Sequence, residues 1–144
     1  MSDPFSIVAG VVGITGVALH GTQVLLDDLQ QLKDAPETIT RLTEDIRSVD
    51  ATLKLFQNLE DKEWELLGAG VAEQSKATIS SCTKACEIFR IDLQRWTKNS
   101  VDGEMARRDR AKVGLFKRGQ VKAMTSQLAN CKLSINNVVC TATL

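Results

Sequence analysis

Residues 39–56 read ITRLTEDIRSVDATLKLF, and their spacing decides the fold class. Ile39, Leu42, Ile46, Val49, Leu53 and Phe56 follow one another at intervals that alternate between 3 and 4. That period puts all six on one face of an α-helix, whereas a strand needs a repeat of two. The same alternation returns twice downstream. Ser75, Ile79, Cys82, Cys86, Phe89, Leu93 and Trp96 form one further stripe, and Val121, Met124, Leu128, Cys131, Ile135 and Val138 form another. Each lasts about three heptads, which suits helices packed on one another within a chain better than an extended coiled coil.

Composition agrees. A chain of 144 residues is one domain's worth, so residues 1–144 are expected to form a single bundle. Only two prolines occur, Pro4 and Pro36, and there is no tyrosine. Long helices are favoured by the first fact and strand-rich folds disfavoured by the second. The expected fold is all-α and four-helix-bundle-like, with helices near 4–32, 36–62, 70–98 and 117–142. Asp3 with Pro4, and Asp34 to Pro36 followed by Glu37, read as helix starts. Gly68 and Gly70 break the chain before the third helix, and NSVDG at 99–103 breaks it after. The basic connector at 104–118 reads equally as a short helix or a structured loop.

Charge is balanced overall but uneven in detail. Eleven acids face five bases between Asp27 and Glu65, while seven bases face two acids between Glu104 and Lys122. The basic set is Arg107, Arg108, Arg110, Lys112, Lys117, Arg118 and Lys122. Anionic lipid headgroups and the acidic second helix are the two partners these charges suit, and a regulated protein would exchange one for the other. Nucleic acid is disfavoured, because Phe116 is the segment's only aromatic and no helix-turn-helix is apparent.

Catalysis finds little support, and the chain reads as no enzyme. The single histidine, His20, has no acid within a turn, leaving a partly exposed bundle residue or, remotely, a pH sensor. Cys82, Cys86, Cys131 and Cys140 lack CxxC spacing and any secretory context, so free thiols in a reducing cytosol are expected. Cys82 and Cys86 share a face with Ile79 and Phe89, which favours a core role over zinc. There is no phosphate-binding GxxxxGK[ST] loop, no cofactor and no metal site.

The first helix stands apart. Between Asp3 and Asp27 no Asp, Glu, Lys or Arg occurs, and Gly10, Gly13 and Gly16 lie inside that run. Ser6, Ala9, Gly10, Gly13, Gly16 and Gly21 share an arc of about 140° on a helical wheel. Phe5, Ile7, Val8, Val11, Val12, Ile14 and Leu19 carry the remaining surface. A helix apolar on all sides is wrapped either by protein or by lipid. As a central strut it would use the small face for a close neighbour, yet three interior glycines cost about 2–3 kcal/mol relative to alanine. As a conditional membrane segment, an uncharged run of about 20 residues is long enough to cross the hydrocarbon core. Without interfacial Trp, Tyr or N-terminal basic residues, a permanent span is not expected.

The opening SDPFSIVAGVVGITGVALHGTQVLLDDLQQLKDAPETI and the closing GLFKRGQVKAMTSQLANCKLSINNVV resemble the fungal HeLo-like domains. These stand at the N-termini of STAND-type immune receptors and related cell-death proteins. The resemblance implies a bundle related to the four-helix executioner domain of the necroptosis pseudokinase. It further implies programmed cell death or non-self response (heterokaryon incompatibility) by self-association, plasma-membrane relocation and permeabilisation. Transferred here, the membrane segment is Pro4 to Leu19, with Gly10, Gly13 and Gly16 as close-packing positions, although spacing of three makes them drift around the helix. Implied partners are other copies of the chain, anionic membrane lipids, and a downstream domain or an upstream receptor, the chain reading as an N-terminal module. The alternative is a soluble adaptor or regulatory module whose first helix stays in the core.

Overall fold

A computed structural model of the chain describes residues 4–32, 37–96 and 118–142, with side chains described except at 4–8, 96 and 118. Among the described residues five helices form: α1 (Pro4–Gln30), α2 (Glu37–Gln57), α3 (Asp61–Leu67), α4 (Ala69–Trp96) and α5 (Arg118–Ala142). No strand occurs among the described residues, so the fold is all-α. The proposed starts at Asp3 and Asp34 to Pro36, the break at 99–103 and the connector at 104–117 lie outside the described residues.

The three stripes read from sequence lie in the core at their described positions. Ile39, Leu42, Ile46, Val49, Leu53 and Phe56 on α2 are all buried, as are Ile79, Cys82, Cys86, Phe89 and Leu93 on α4 and Val121 to Ile135 at the striped positions of α5. Val138 is half-buried against them.

The second helix is shorter than expected. It ends at Gln57 instead of continuing to 62, and a separate short helix follows. The stripe explains the break, because its next position after Phe56 is Glu60, a charge that a continuous helix would carry into the core. The chain turns at that point. Glu60 takes extended angles of φ −82 and ψ 161, and its N–H donates to Glu63 Oε1 at 2.9 Å. This is half of a capping box that starts a new helix in a new direction. The turn buries Leu59 and Trp64, and the Trp64 ring meets Phe56 edge-on with centroids 5.1 Å apart.

Of the two glycines expected to break the chain before the third helix, Gly68 does so and Gly70 lies within α4. Gly68 has φ +90 and donates its N–H to the Trp64 carbonyl at 3.0 Å. Residues with a Cβ rarely adopt that conformation, so glycine is required there.

α1 packs against α2 and α4, and α5 packs against the same two helices. The four long helices therefore form a ring in which α2 and α4 stand on a diagonal. The short α3 spans that diagonal at one end, touching α1, α4 and α5. α1 and α4 run parallel, since Gly10 lies beside Lys76 and Asp28 beside Arg90. α4 and α5 run antiparallel, with Ser81 opposite Gln127 while Val71 and Gln74 share a cleft with Asn137 and Val138.

Candidate functional site

The first helix carries a core stripe of its own, hidden by residue type. Val11, Thr15, Ala18, Thr22, Leu25 and Leu29 are all buried, at spacings of 4, 3, 4, 3 and 4. Two threonines and an alanine at those positions mask a pattern identical to that of α2. Thr15 is compatible with burial because its hydroxyl donates to the Val11 carbonyl at 2.7 Å. Thr22 lies 2.9 Å from both the Leu19 carbonyl and Asp50 Oδ1, so its hydroxyl reaches across to α2. Asp50 is itself buried, and its second oxygen accepts from Lys54 at 3.0 Å. On the other side of α1, Asp28 Oδ2 accepts from Arg90 Nε of α4 at 2.6 Å. Both of these ties lie C-terminal to Leu19.

The apolar residues singled out on this helix divide. Val11 and Leu19 are buried, and Ile14 is half-buried against the core. Val12 is 41% exposed. Phe5, Ile7 and Val8 belong to α1, but their side chains lie outside the described residues. Val17, which was not singled out, is 57% exposed.

The glycine face points mostly outward. Ala9 and Gly13 are exposed, and Gly10 and Gly16 half-buried. A Cβ placed on Gly13, Gly16 or Gly21 would meet nothing within 4 Å. At Gly10 it would meet only the flexible end of Lys76, 3.5 Å away. The close helix approach that small residues permit inside the bundle is therefore not used at Gly13 or Gly16. Ala9, Val12, Gly13, Gly16, Val17 and His20 make one strip without Asp, Glu, Lys or Arg along the outer surface of α1. Residues Ala9–Gln30 are long and apolar enough to cross a membrane, and 39% of the segment's most apolar 18-residue window is buried in the bundle.

The basic residues Arg107, Arg108, Arg110, Lys112 and Lys117 lie outside the described residues. Arg118 opens α5, and Lys122 is exposed on its first turns. On the acidic second helix, Glu37, Glu44 and Asp50 pair with Arg41, Arg47 and Lys54 of the same helix. Those three carboxylates thus have local counter-charges at i+3 or i+4.

A second constellation joins α4 to α5. Cys82, Cys86 and Cys131 are buried together as free thiols, and Cys140 is exposed. Hydrogen bonds from Cys131 and then Cys86 pull the Cys82 thiol below its usual range, against burial, which pushes it up. The bond to Cys82, followed by burial, pushes Cys86 and Cys131 up. The stripes had placed Cys82 and Cys86 together; that Cys131 joins them follows from the rotation of α5 about its axis. No group of His, Cys, Asp or Glu with metal-binding geometry occurs among the described residues.

No curated protein and no solved structure matches this chain significantly. A family profile does, along almost the entire length, from residue 2 to residue 144. The chain belongs to the family described as pigment biosynthesis cluster protein PigL, N-terminal.

Proposed function

We propose that this chain is a non-enzymatic, HeLo-like effector domain of cell death or non-self response. It self-associates and permeabilises membranes conditionally through α1. One observation carries the reading: Val12, Gly13, Gly16 and Val17 of α1 form an outward strip with no packing role at Gly13 and Gly16 in the bundle. Interior glycines weaken a helix by roughly 0.5–1 kcal/mol each relative to alanine. A helix that retains them where no neighbour needs them is better explained by a second environment. In lipid, small residues allow helices to approach closely, and copies of α1 would pack through Gly10, Gly13 and Gly16. The described part of α1 before Asp27 has no Asp, Glu, Lys or Arg, which lowers the main cost of entering hydrocarbon. The basic set from Arg107 to Lys122 would hold the domain at an anionic surface. The protein would rest in the cytoplasm and relocate to the plasma membrane on activation.

A second reading is a soluble adaptor of a STAND-type receptor with α1 fixed in the core. The Thr22–Asp50 and Asp28–Arg90 ties favour it, since both anchor α1 to its neighbours. A family named for the N-terminal part of a larger protein fits either role.

Dye release from anionic liposomes separates them, comparing the natural chain with Val17→Arg. Val17 is exposed, so the arginine leaves the bundle folded while placing a charge on the strip. Release by the natural chain and none by the variant supports membrane entry through α1. Binding to liposomes with equal release by both chains removes α1 from the mechanism. Absence of both binding and release favours the adaptor.

A further inference from the structure

The seam between α4 and α5 is the looser of the bundle's contacts and is lined with small polar residues. A groove of about 420 Å³ opens into it, and both Cys82 and Cys131 lie on its wall, with Ser81, Gln127, Asn130 and Ser134 around them. Gln127 Nε2 bridges the seam, donating to the Ser81 carbonyl at 3.3 Å and to Ser81 Oγ at 3.2 Å. Cys82 thus combines two properties: a hydrogen bond with a thiol on another helix, and a place on the wall of a groove, although only 1% of it is exposed.

We propose that Cys82 and Cys131 form a redox-responsive pair, which a peroxide converts into a disulfide that ties α4 to α5. Cys82 is the attacking thiol. Its sulfur displaces hydroxide from the peroxide, forming an S–O bond as the O–O bond breaks, and the thiol proton and the hydroxide leave as water. Cys131 sulfur then attacks the resulting sulfenic acid. The S–S bond forms, the S–O bond breaks, and the Cys131 proton leaves with the hydroxyl as a second water. Two thiols are oxidised and one peroxide is reduced to two waters. The assignment of Cys82 as attacker agrees with the hydrogen bonds it receives, which favour its thiolate.

Geometry selects the cross-helix partner. Cys82 and Cys86 are separated by one helical turn, where Cβ atoms stand about 5–6 Å apart. A disulfide requires Cβ atoms at about 3.5–4.5 Å, so bonding within α4 would distort the helix. Cys131 is on a separate helix across a loosely packed seam, which adjusts without breaking either backbone. The bond would lock that seam shut, so a bundle that must open to act would be held closed under oxidising conditions.

The test uses hydrogen peroxide on the folded chain carrying Cys140→Ser, which removes the exposed thiol and leaves three of the four cysteines. The expected result is a fall in thiol titre of the subsequently unfolded protein from three to one. Non-reducing peptide mapping then joins the peptides of Cys82 and Cys131, and dithiothreitol restores the titre. Adding Cys86→Ala leaves that link in place, whereas Cys131→Ser abolishes it. A titre that stays at three, at peroxide levels that oxidise Cys140 in the natural chain, overturns the proposal. So does a link between Cys82 and Cys86, or oxidation of Cys82 that dithiothreitol does not reverse.

Discussion

The Thr22 hydroxyl of α1 stands 2.9 Å from Asp50 Oδ1 of α2, in a position where Thr22 is 1% and Asp50 7% exposed. A nearly buried carboxylate needs every donor it can obtain, and here one comes from a neighbouring helix and another from Lys54 one turn on. Thr22→Val keeps the shape and removes the donor. We expect it to cost about 1–3 kcal/mol in urea unfolding. Thr15→Val, which removes only a bond within α1, is expected to cost less than about 1 kcal/mol. Equal losses at the two positions would show that the tie to α2 adds nothing.

Glycines on the outer strip predict an opposition between stability and activity. Gly13→Ala and Gly16→Ala meet open space, and each is expected to stabilise the fold by about 0.5–1 kcal/mol. If α1 copies pack through those positions in lipid, the stabilised double variant releases less dye from anionic liposomes than the natural chain does. Thermal unfolding and dye release on the same samples check both halves. Higher melting with unchanged release would separate the glycines from membrane action.

Gly68 and Gly70, two residues apart, should respond in opposite directions. Gly68→Ala forces a side chain into φ +90 and is expected to cost about 1–3 kcal/mol, although no neighbour blocks it. Gly70→Ala lies within α4 in open space and is expected to gain about 0.5–1 kcal/mol. Chemical denaturation of the two variants decides whether conformation or crowding governs this turn.

Val11 and Val17 stand about 120° apart around α1, one in the core and one in solvent, and arginine at each should reveal it. Val11→Arg puts an unpaired charge in the core and is expected to unfold the domain, a loss above about 4 kcal/mol. Val17→Arg is expected to alter stability by no more than about 0.5 kcal/mol. Circular dichroism with denaturant reads both, and a destabilised Val17→Arg would place that residue against a neighbour.

The helical class and three of the four core stripes were legible from spacing alone, because one helix face repeats at a period its own sequence carries. The end of α2 was less visible. The stripe arriving at Glu60 was a signal, but the reward for turning there is the burial of Leu59 and Trp64 against Phe56, a contact formed only once the chain has turned. On α1 the wheel separated small from large residues, and the bundle divided them differently.

Sequence by itself determined that this chain is a set of helices, and that the first is uncharged through most of its length and punctuated by glycine. Tertiary structure decided which way that helix faces. Thr15 and Thr22 enter the core because backbone or cross-helix partners satisfy their hydroxyls, while Val12 and Val17 remain outside because the stripe of Val11, Ala18, Leu25 and Leu29 fixes the rotation. It also decided that Cys131 meets Cys82, since the register between two helices depends on packing at both surfaces, and neither sequence carries the other's rotation.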